Sequence, residues 1–228
     1  MVESYLFLTY INGRKDNHDK FFFKLLDGYS VSIILDGFSS LETTPHYVDT
    51  FIDYLDLNLN EFVVFDDACH LIETVINDSF GADGKACIAA IVSSNDSFRY
   101  MTIGDCRIYF LSDKDRTKDD SIAQKLVDAK VSSPKSIAVH PYRNKLTKFI
   151  SRDCKHGYDL FYDRKNICSD GFVLMCTDGF WSNADENDIW GIDSELSMKN
   201  IFTDICENSN KSTDNISVAL LKLSSSNG

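Results

Sequence analysis

Val31-Ser32-Ile33-Ile34-Leu35-Asp36-Gly37 and Phe172-Val173-Leu174-Met175-Cys176-Thr177-Asp178-Gly179 share an unusual pattern. Each is a run of mainly apolar residues, read as a buried β-strand, that ends on an aspartate followed by glycine. A carboxylate at the tip of a buried strand is badly placed for water and needs a compensating partner. A third strand, over residues 98–103, runs into Gly104-Asp105-Cys106-Arg107, and Thr213-Asp214-Asn215 opens the last apolar run. Four aspartates at strand ends, far apart in sequence, predict one shared divalent-cation site on a sheet. Converging carboxylates raise each other's pKa, and a divalent cation cancels that repulsion. Oxygen donors without a histidine or cysteine partner favour magnesium or manganese over zinc. Two such ions about 3.5–4 Å apart can share a bridging water and lower its pKa toward neutrality.

Working outward, residues 5–11 read as a first strand. Residues 21–26 and 29–35 read as two more, joined by Asp27-Gly28, a two-residue hairpin signal. Residues 50–57 have helical spacing. Residues 66–80 have it more clearly, with Ala68, Leu71, Ile72, Val75 and Ile76 on one face. Strands over 86–92, 98–103 and 107–111 read as a meander. Residues 112–133 are charged and unassigned, and the run 114–120 reads as a solvated loop. A short helix is expected over 143–150, a strand over 156–162, helices over 186–190 and 195–206, a last strand over 216–223, and a frayed tail over 224–228. Hairpins make the sheets mostly antiparallel, and paired helices suit outer layers. The expected class is α+β: a four-layer α-β-β-α sandwich with two mostly antiparallel sheets, in a single domain spanning residues 1–228.

Bulk properties narrow the partners. The chain has 228 residues, 43% of them hydrophobic, with three prolines and 11 glycines, which supports a sizeable core. The formal net charge of -12 disfavours nucleic acid and anionic membrane surfaces, both polyanions. Seven cysteines without a C-x-x-C pair suggest a reducing cytoplasm rather than disulfides or zinc. Residues 1–10 carry Glu3 and no basic segment, unlike a signal peptide, and no apolar run approaches the roughly 18 residues that span a bilayer.

Asp-Gly is also a common turn dipeptide, and five occur. Asp27-Gly28, Asp83-Gly84 and Asp170-Gly171 read as turns. Asp36-Gly37 and Asp178-Gly179 stand apart because apolar runs precede them. Phe21-Phe22-Phe23, Trp181 and Trp190 read as core, and His140 as a structural hydrogen-bonding histidine.

The order of motifs resembles the metal-dependent type 2C (PPM-type) serine/threonine protein phosphatases, bacterial members especially, over nearly the whole chain. Gly13-Arg14-Lys15-Asp16-Asn17-His18-Asp19 is similar to that family's G-R-x-x-N-E-D element, and Leu35-Asp36-Gly37 to V-D-G. Gly104-Asp105-Cys106-Arg107 is similar to G-D-S-R, His140-Pro141-Tyr142-Arg143-Asn144-Lys145-Leu146-Thr147 to H-P-x-R-N-x-L-T, Cys176-Thr177-Asp178-Gly179-Phe180-Trp181 to S-D-G-L-W, and Ser212-Thr213-Asp214-Asn215-Ile216 to S-T-D-N-I. Six motifs in order are far more specific than any one.

The resemblance implies two Mg2+ or Mn2+ ions and a third, looser one. Asp36 would bridge two metals, with the Gly37 carbonyl on one of them. Asp178 and Asp214 would hold the second, and Asp105 with Asp178 the third. Arg14 would grip the substrate phosphate, its fork matching two phosphoryl oxygens. His18, Asp19 and Asn215 would stand behind the ligands. The implied reaction is attack of a dimetal-bridging water on phosphoserine or phosphothreonine of a phosphorylated protein, by a cytoplasmic, monomeric enzyme. Departures leave an alternative: a catalytically weak member that binds phosphoproteins or a regulator. His18 stands where the family often has glutamate, Phe38 where eukaryotic members often have a histidine that protonates the leaving group, and Lys85-Ala86 where the family has Ser-Thr. A metal-dependent nuclease is a third possibility, disfavoured by the acidic charge and the lack of a basic stripe.

Overall fold

The computed structural model describes residues 1–38, 44–77, 83–164, 171–208 and 214–223. The elements run β1 (Val2–Tyr10), β2 (Asp19–Leu26), β3 (Tyr29–Gly37), α1 (Thr44–Asn58), α2 (Phe65–Asn77), β4 (Lys85–Ser94), β5 (Phe98–Ile103), β6 (Arg107–Phe110), β7 (Asp115–Arg116) and α3 (Ile122–Asp128). They continue with β8 (Ile150–Ser151), β9 (Tyr162–Asp163), β10 (Phe172–Cys176), α4 (Asp178–Trp181), α5 (Glu186–Trp190), α6 (Glu195–Asn208) and β11 (Ile216–Leu223).

Two antiparallel sheets face each other. One has the order β1-β11-β10-β6-β7 and the other β2-β3-β4-β5-β9, with β8 added to β4. Side-chain alternation sorts the core into three apolar layers. In β3, Val31, Ile33 and Leu35 point outward to α1 and α2, where Val48, Phe51, Leu55, Ile72 and Ile76 cover them. Ile34 points inward, to a layer shared with Ala89, Ile91, Ile108, Val173, Met175, Ala219 and Leu221. Leu174, Ile216, Val218 and Leu220 point to the opposite outside and meet Phe180, Ile189, Met198 and Ile205. The four-layer α-β-β-α sandwich expected from the sequence is therefore the observed architecture.

Several local expectations change. The strands over 98–103 and 107–111 do not form a meander: β5 pairs with β4, whereas β6 pairs with β10 in the other sheet. The chain crosses between sheets at Gly104, whose φ of +98° a side-chain-bearing residue rarely adopts. No helix forms over 143–150, because that backbone is spent on a neighbouring segment. The Ile122 amide donates to the Lys145 carbonyl (2.9 Å), the Thr147 amide to the Asp120 carbonyl (2.6 Å), and Ser121 bridges Leu146. The strand over 156–162 shrinks to Tyr162–Asp163, since Gly157 and Asp159 have positive φ values of 77° and 63°. The charged run 114–120 is not wholly solvated, because Asp119 is buried against Arg107. Asp27-Gly28 is the predicted two-residue hairpin link, with Leu26 opposite Tyr29. Asp170, residues 78–80 of the second predicted helix, Cys168 and the tail 224–228 lie outside the described residues.

Candidate active site

The inner layer is apolar along most of its length and turns acidic at one end. Asp36 stands two residues beyond Ile34 on β3, so alternation directs it inward. Asp19 opens β2 directly opposite Asp36 and shares that face with Phe21 and Phe23. From the other sheet, Thr177 continues the inward parity of Val173 and Met175, and Ser217 that of Ala219 and Leu221. The Thr177 hydroxyl donates to Asp19 Oδ2 at 2.9 Å, joining the two sheets across this end. Asp105 lies on the crossing between sheets, Asp178 opens α4, and Asp214 stands two residues before β11.

Asp178-Gly179 is not a turn but a close approach. A Cβ on Gly179 would stand 1.9 Å from the Asn215 carbonyl oxygen, so only glycine lets α4 lie against the start of β11. That contact brings Asp178 beside Asp214. Asn215 fixes the other side. Its Oδ1 accepts from the His18 amide (2.9 Å), and its Nδ2 donates to the carbonyls of Ile11 (3.0 Å) and Asp16 (3.2 Å). The loop carrying Arg14 is thereby stapled beside Asp214. His18 contributes backbone: its carbonyl accepts from the Gly37 amide at 3.2 Å.

The electrostatics match a crowded anionic pocket. Asp19, Asp36, Asp105 and Asp178 are all buried. Burial pushes Asp36 well above the usual carboxylate range, and the charges of Asp19, Asp178, Asp214 and Asp105 push it further. Burial raises Asp19 to about 7, against hydrogen bonds from Ser217 and Thr177 that favour its charged form. Burial and Asp214 raise Asp178 to about 6, with Arg143 pulling the other way. Asp105 is raised by burial first and Asp178 next. Asp36 thus stands within electrostatic reach of all four of the other carboxylates.

Two arginines partly answer this charge. Arg14 Nη2 donates to Asp214 Oδ1 at 2.7 Å, and Arg143 Nη1 to Asp178 Oδ2 at 3.0 Å. Asp178 Oδ1 is buried without a hydrogen-bond partner among the described residues. Among the described residues no three His, Cys, Asp or Glu side chains close into a ready cage for an ion. The donor set still fits a hard divalent cation: carboxylates only, four of them buried, with mutual repulsion and one orphaned oxygen.

Sequence reasoning named Arg14, Asp36, Gly37, Asp105, Asp178, Asp214, His18, Asp19 and Asn215, and all lie at this end of the sandwich. Asp19 is deeper than a supporting role implies, being one of the raised carboxylates itself. Reasoning from sequence missed Thr177, Ser217 and Arg143, of which Arg143 carried a signal in the His140-to-Thr147 stretch. It also missed the prop behind Asp105. Arg107 is buried, bonded twice at 2.7 Å to Asp119, and stacked 3.4 Å from the Trp181 ring centroid. Trp181 Nε1 donates to the Asp105 carbonyl at 2.8 Å.

No family model and no curated protein sequence matches the chain. Solved structures do. It is similar to a point-mutated form of a bacterial serine phosphatase, with 17% identity, 100% of each chain covered and a TM-score of 0.80. It is similar to serine/threonine phosphatase Stp1 from Staphylococcus aureus, with 18% identity, 98% of this chain and 95% of that one covered, and a TM-score of 0.79. A third is the catalytic domain of serine threonine protein phosphatase PstP in complex with two manganese ions, with 16% identity, coverage of 97% and 98%, and a TM-score of 0.72. The chain therefore has the fold of the PPM-type bacterial serine/threonine phosphatases, the family its motifs resemble.

Proposed function

We propose that the chain is a PPM-type, metal-dependent protein phosphatase that hydrolyses phosphoserine or phosphothreonine in a phosphorylated protein partner. The observation that carries this is the uncompensated charge at the end of the inner layer. Among the described residues no Lys, Arg or His is ion-paired with Asp19 or Asp36, although both are buried. A buried carboxylate pair facing each other across a ladder costs several kcal/mol unless a cation joins it. The PstP neighbour, solved with two manganese ions, supports Mn2+ or Mg2+ as that cation.

Asp36, Asp178 and Asp214 would hold the ions, with Asp105 to one side, the Gly37 carbonyl at the strand end and Asp19 behind. When bound, the ions supply an activated water at neutral pH and polarise the phosphoryl group. The protein's own groups do the rest. Thr177 and Ser217 hydrogen-bond the charged form of Asp19 and oppose the rise that burial imposes on it. Arg14 is half exposed at the rim and would exchange Asp214 for two phosphoryl oxygens, fixing the ester for in-line attack. Phe38 has no proton to give and packs edge-on against Phe149 at 5.6 Å, so the leaving alkoxide would take its proton from water.

A binding module without turnover is the second reading, favoured by the same two arginines. Arg14 and Arg143 pair with Asp214 and Asp178, the carboxylates that would have to hold the ions. One experiment separates the two. The phosphatase hydrolyses p-nitrophenyl phosphate only with added manganese or magnesium. Activity that survives excess chelator overturns the mechanism, and no manganese binding by calorimetry favours the module.

A further inference from the structure

The charged run 114–120 borders a cavity of about 350 Å³ on the outer side of the sandwich. Its other walls are α3, the 3-10 helix over Pro134–Val139 and the end of α5. The floor is apolar: Val127, Ile137 and Trp190 belong to the outer layer that covers β6, β10 and β11. None of the five clustered aspartates borders it. The volume falls within the roughly 300–1,000 Å³ of small-ligand sites.

Gln124, in the first turn of α3, is the group in this wall that calls for a ligand. It is only 5% exposed. Its Nε2 donates to Asp128 Oδ1 at 3.1 Å, which fixes the sense of the amide, since an ionised carboxylate only accepts. Gln124 Oε1 is left buried without a hydrogen-bond partner among the described residues. An unmet buried acceptor costs about 1–3 kcal/mol, so the amide favours an N–H or O–H donor arriving from the cavity.

The charge around this acceptor is locally positive, in a chain of net charge -12. Arg116 donates Nε to Glu186 at 2.8 Å and Nη1 to the Thr117 carbonyl at 2.9 Å, and its Nη2 is spent on neither. Lys114 joins no ion pair among the described residues. The two carboxylates of the same wall are already neutralised, Asp115 by Arg164 and Asp128 by Lys118, each at 2.8 Å. A second cavity, of about 270 Å³, shares Arg116, Pro134 and Ile137 with the first, so the Arg116 guanidinium stands between two lobes.

We propose that this cavity is a binding site for a nucleoside monophosphate, separate from the aspartate cluster. A bare phosphate would meet Arg116 and leave the Gln124 oxygen and the apolar floor unused. An uncharged nucleoside would do the reverse. A nucleoside monophosphate joins the two: its base lies on the floor beside Trp190 and gives a ring or exocyclic N–H to Gln124 Oε1, and its phosphate meets Arg116 and Lys114. The negative net charge opposes long polyanions, but a single small anion is held by the local cations. The site goes beyond the phosphatase reading and does not depend on it.

The test titrates AMP, GMP, CMP and UMP into the full-length protein by calorimetry, with inorganic phosphate and the matching nucleosides as further probes. EDTA is present throughout, so that no catalytic cation captures the phosphate. At least one nucleotide is expected to bind saturably, ~10-fold or more tighter than phosphate or its own nucleoside, because each end adds a bonded contact. Gln124→Met and Arg116→Gln should each weaken that nucleotide about 10-fold. Arg14→Ala should bind it as the unaltered protein does. The proposal is overturned by no saturable binding of any of the four, which would leave Gln124 to a buried water. It is equally overturned by phosphate binding as tightly as the best nucleotide, by undiminished affinity in Gln124→Met, or by lost affinity in Arg14→Ala, which would place the ligand at the aspartate end. If Arg116→Gln does not fold, Gln124→Met and Arg14→Ala decide.

Discussion

Asp19 and Asp36 are direct cross-strand partners, and both side chains turn into the layer between the sheets. Like charges in that relationship oppose folding, so the metal-free protein keeps them at the expense of stability. Asp36→Asn is therefore expected to raise the melting temperature of the chelated protein while abolishing manganese-dependent hydrolysis. Removing the repulsion should contribute about 1–3 kcal/mol, seen by thermal denaturation in EDTA. An Asp36→Asn variant that melts lower in EDTA would show that the cluster is compensated by something other than a cation.

Metal addition should do by binding what that substitution does by neutralisation. Manganese at ~100 times its dissociation constant stabilises a protein that binds it only when folded by about 2.7 kcal/mol. The melting temperature should climb with manganese in the unaltered protein and hardly move in Asp36→Asn or Asp178→Asn. A rise of equal size in all three would place the binding elsewhere.

Much of this site was legible because carboxylates at the ends of apolar runs are physically conspicuous. β5, β10, α5 and β11 also begin and end where residue patterns put them or within a residue. The crossing at Gly104 was not legible, since an inward-outward alternation is identical whichever sheet a strand joins. Residues 143–150 read as a short helix, but the Thr147 amide and the Lys145 carbonyl are claimed by residues 120–122, a tertiary demand invisible in local sequence. Thr177 and Ser217 escaped notice because hydroxyl residues are ordinary in strands. Only the meeting of β10 and β11 beside Asp19 makes them partners of that carboxylate.

Arg14 is expected to act on substrate and not on the fold. It is about half exposed, so Arg14→Ala should leave denaturation nearly unchanged. Losing a charge-assisted fork to phosphoryl oxygens should lower kcat/KM on p-nitrophenyl phosphate by about 10- to 100-fold, and Arg14→Lys should restore only part of it. Unchanged kinetics in Arg14→Ala would remove it from the site.

Arg107 is the opposite case. Its guanidinium and Asp119 are both buried, with side-chain exposures of 4% and 1%. Arg107→Met strands the Asp119 charge and should cost about 3–5 kcal/mol in urea denaturation, while Arg107→Met with Asp119→Leu should recover most of it. The double variant also loses the cation stacked on Trp181, whose indole holds the Asp105 carbonyl. Recovered stability with weakened manganese binding would separate the prop's role at Asp105 from its role in the core.

Gly179→Ala tests the contact that brings the two halves of the cluster together. The added methyl would stand 1.9 Å from the Asn215 carbonyl oxygen, which is backbone and cannot swing aside like the end of a side chain. Either α4 or the start of β11 must move, and overpacking of this kind typically costs about 1–3 kcal/mol. Asp178 is the residue before Gly179 and Asp214 the residue before Asn215, so any relief separates those two carboxylates. The variant should fold with lower stability, lose manganese affinity by more than Arg14→Ala does, and lose hydrolysis in proportion. Manganese affinity equal to that of the unaltered protein, measured by calorimetry on folded Gly179→Ala, would show that Asp178 and Asp214 need not be adjacent to serve the same ion.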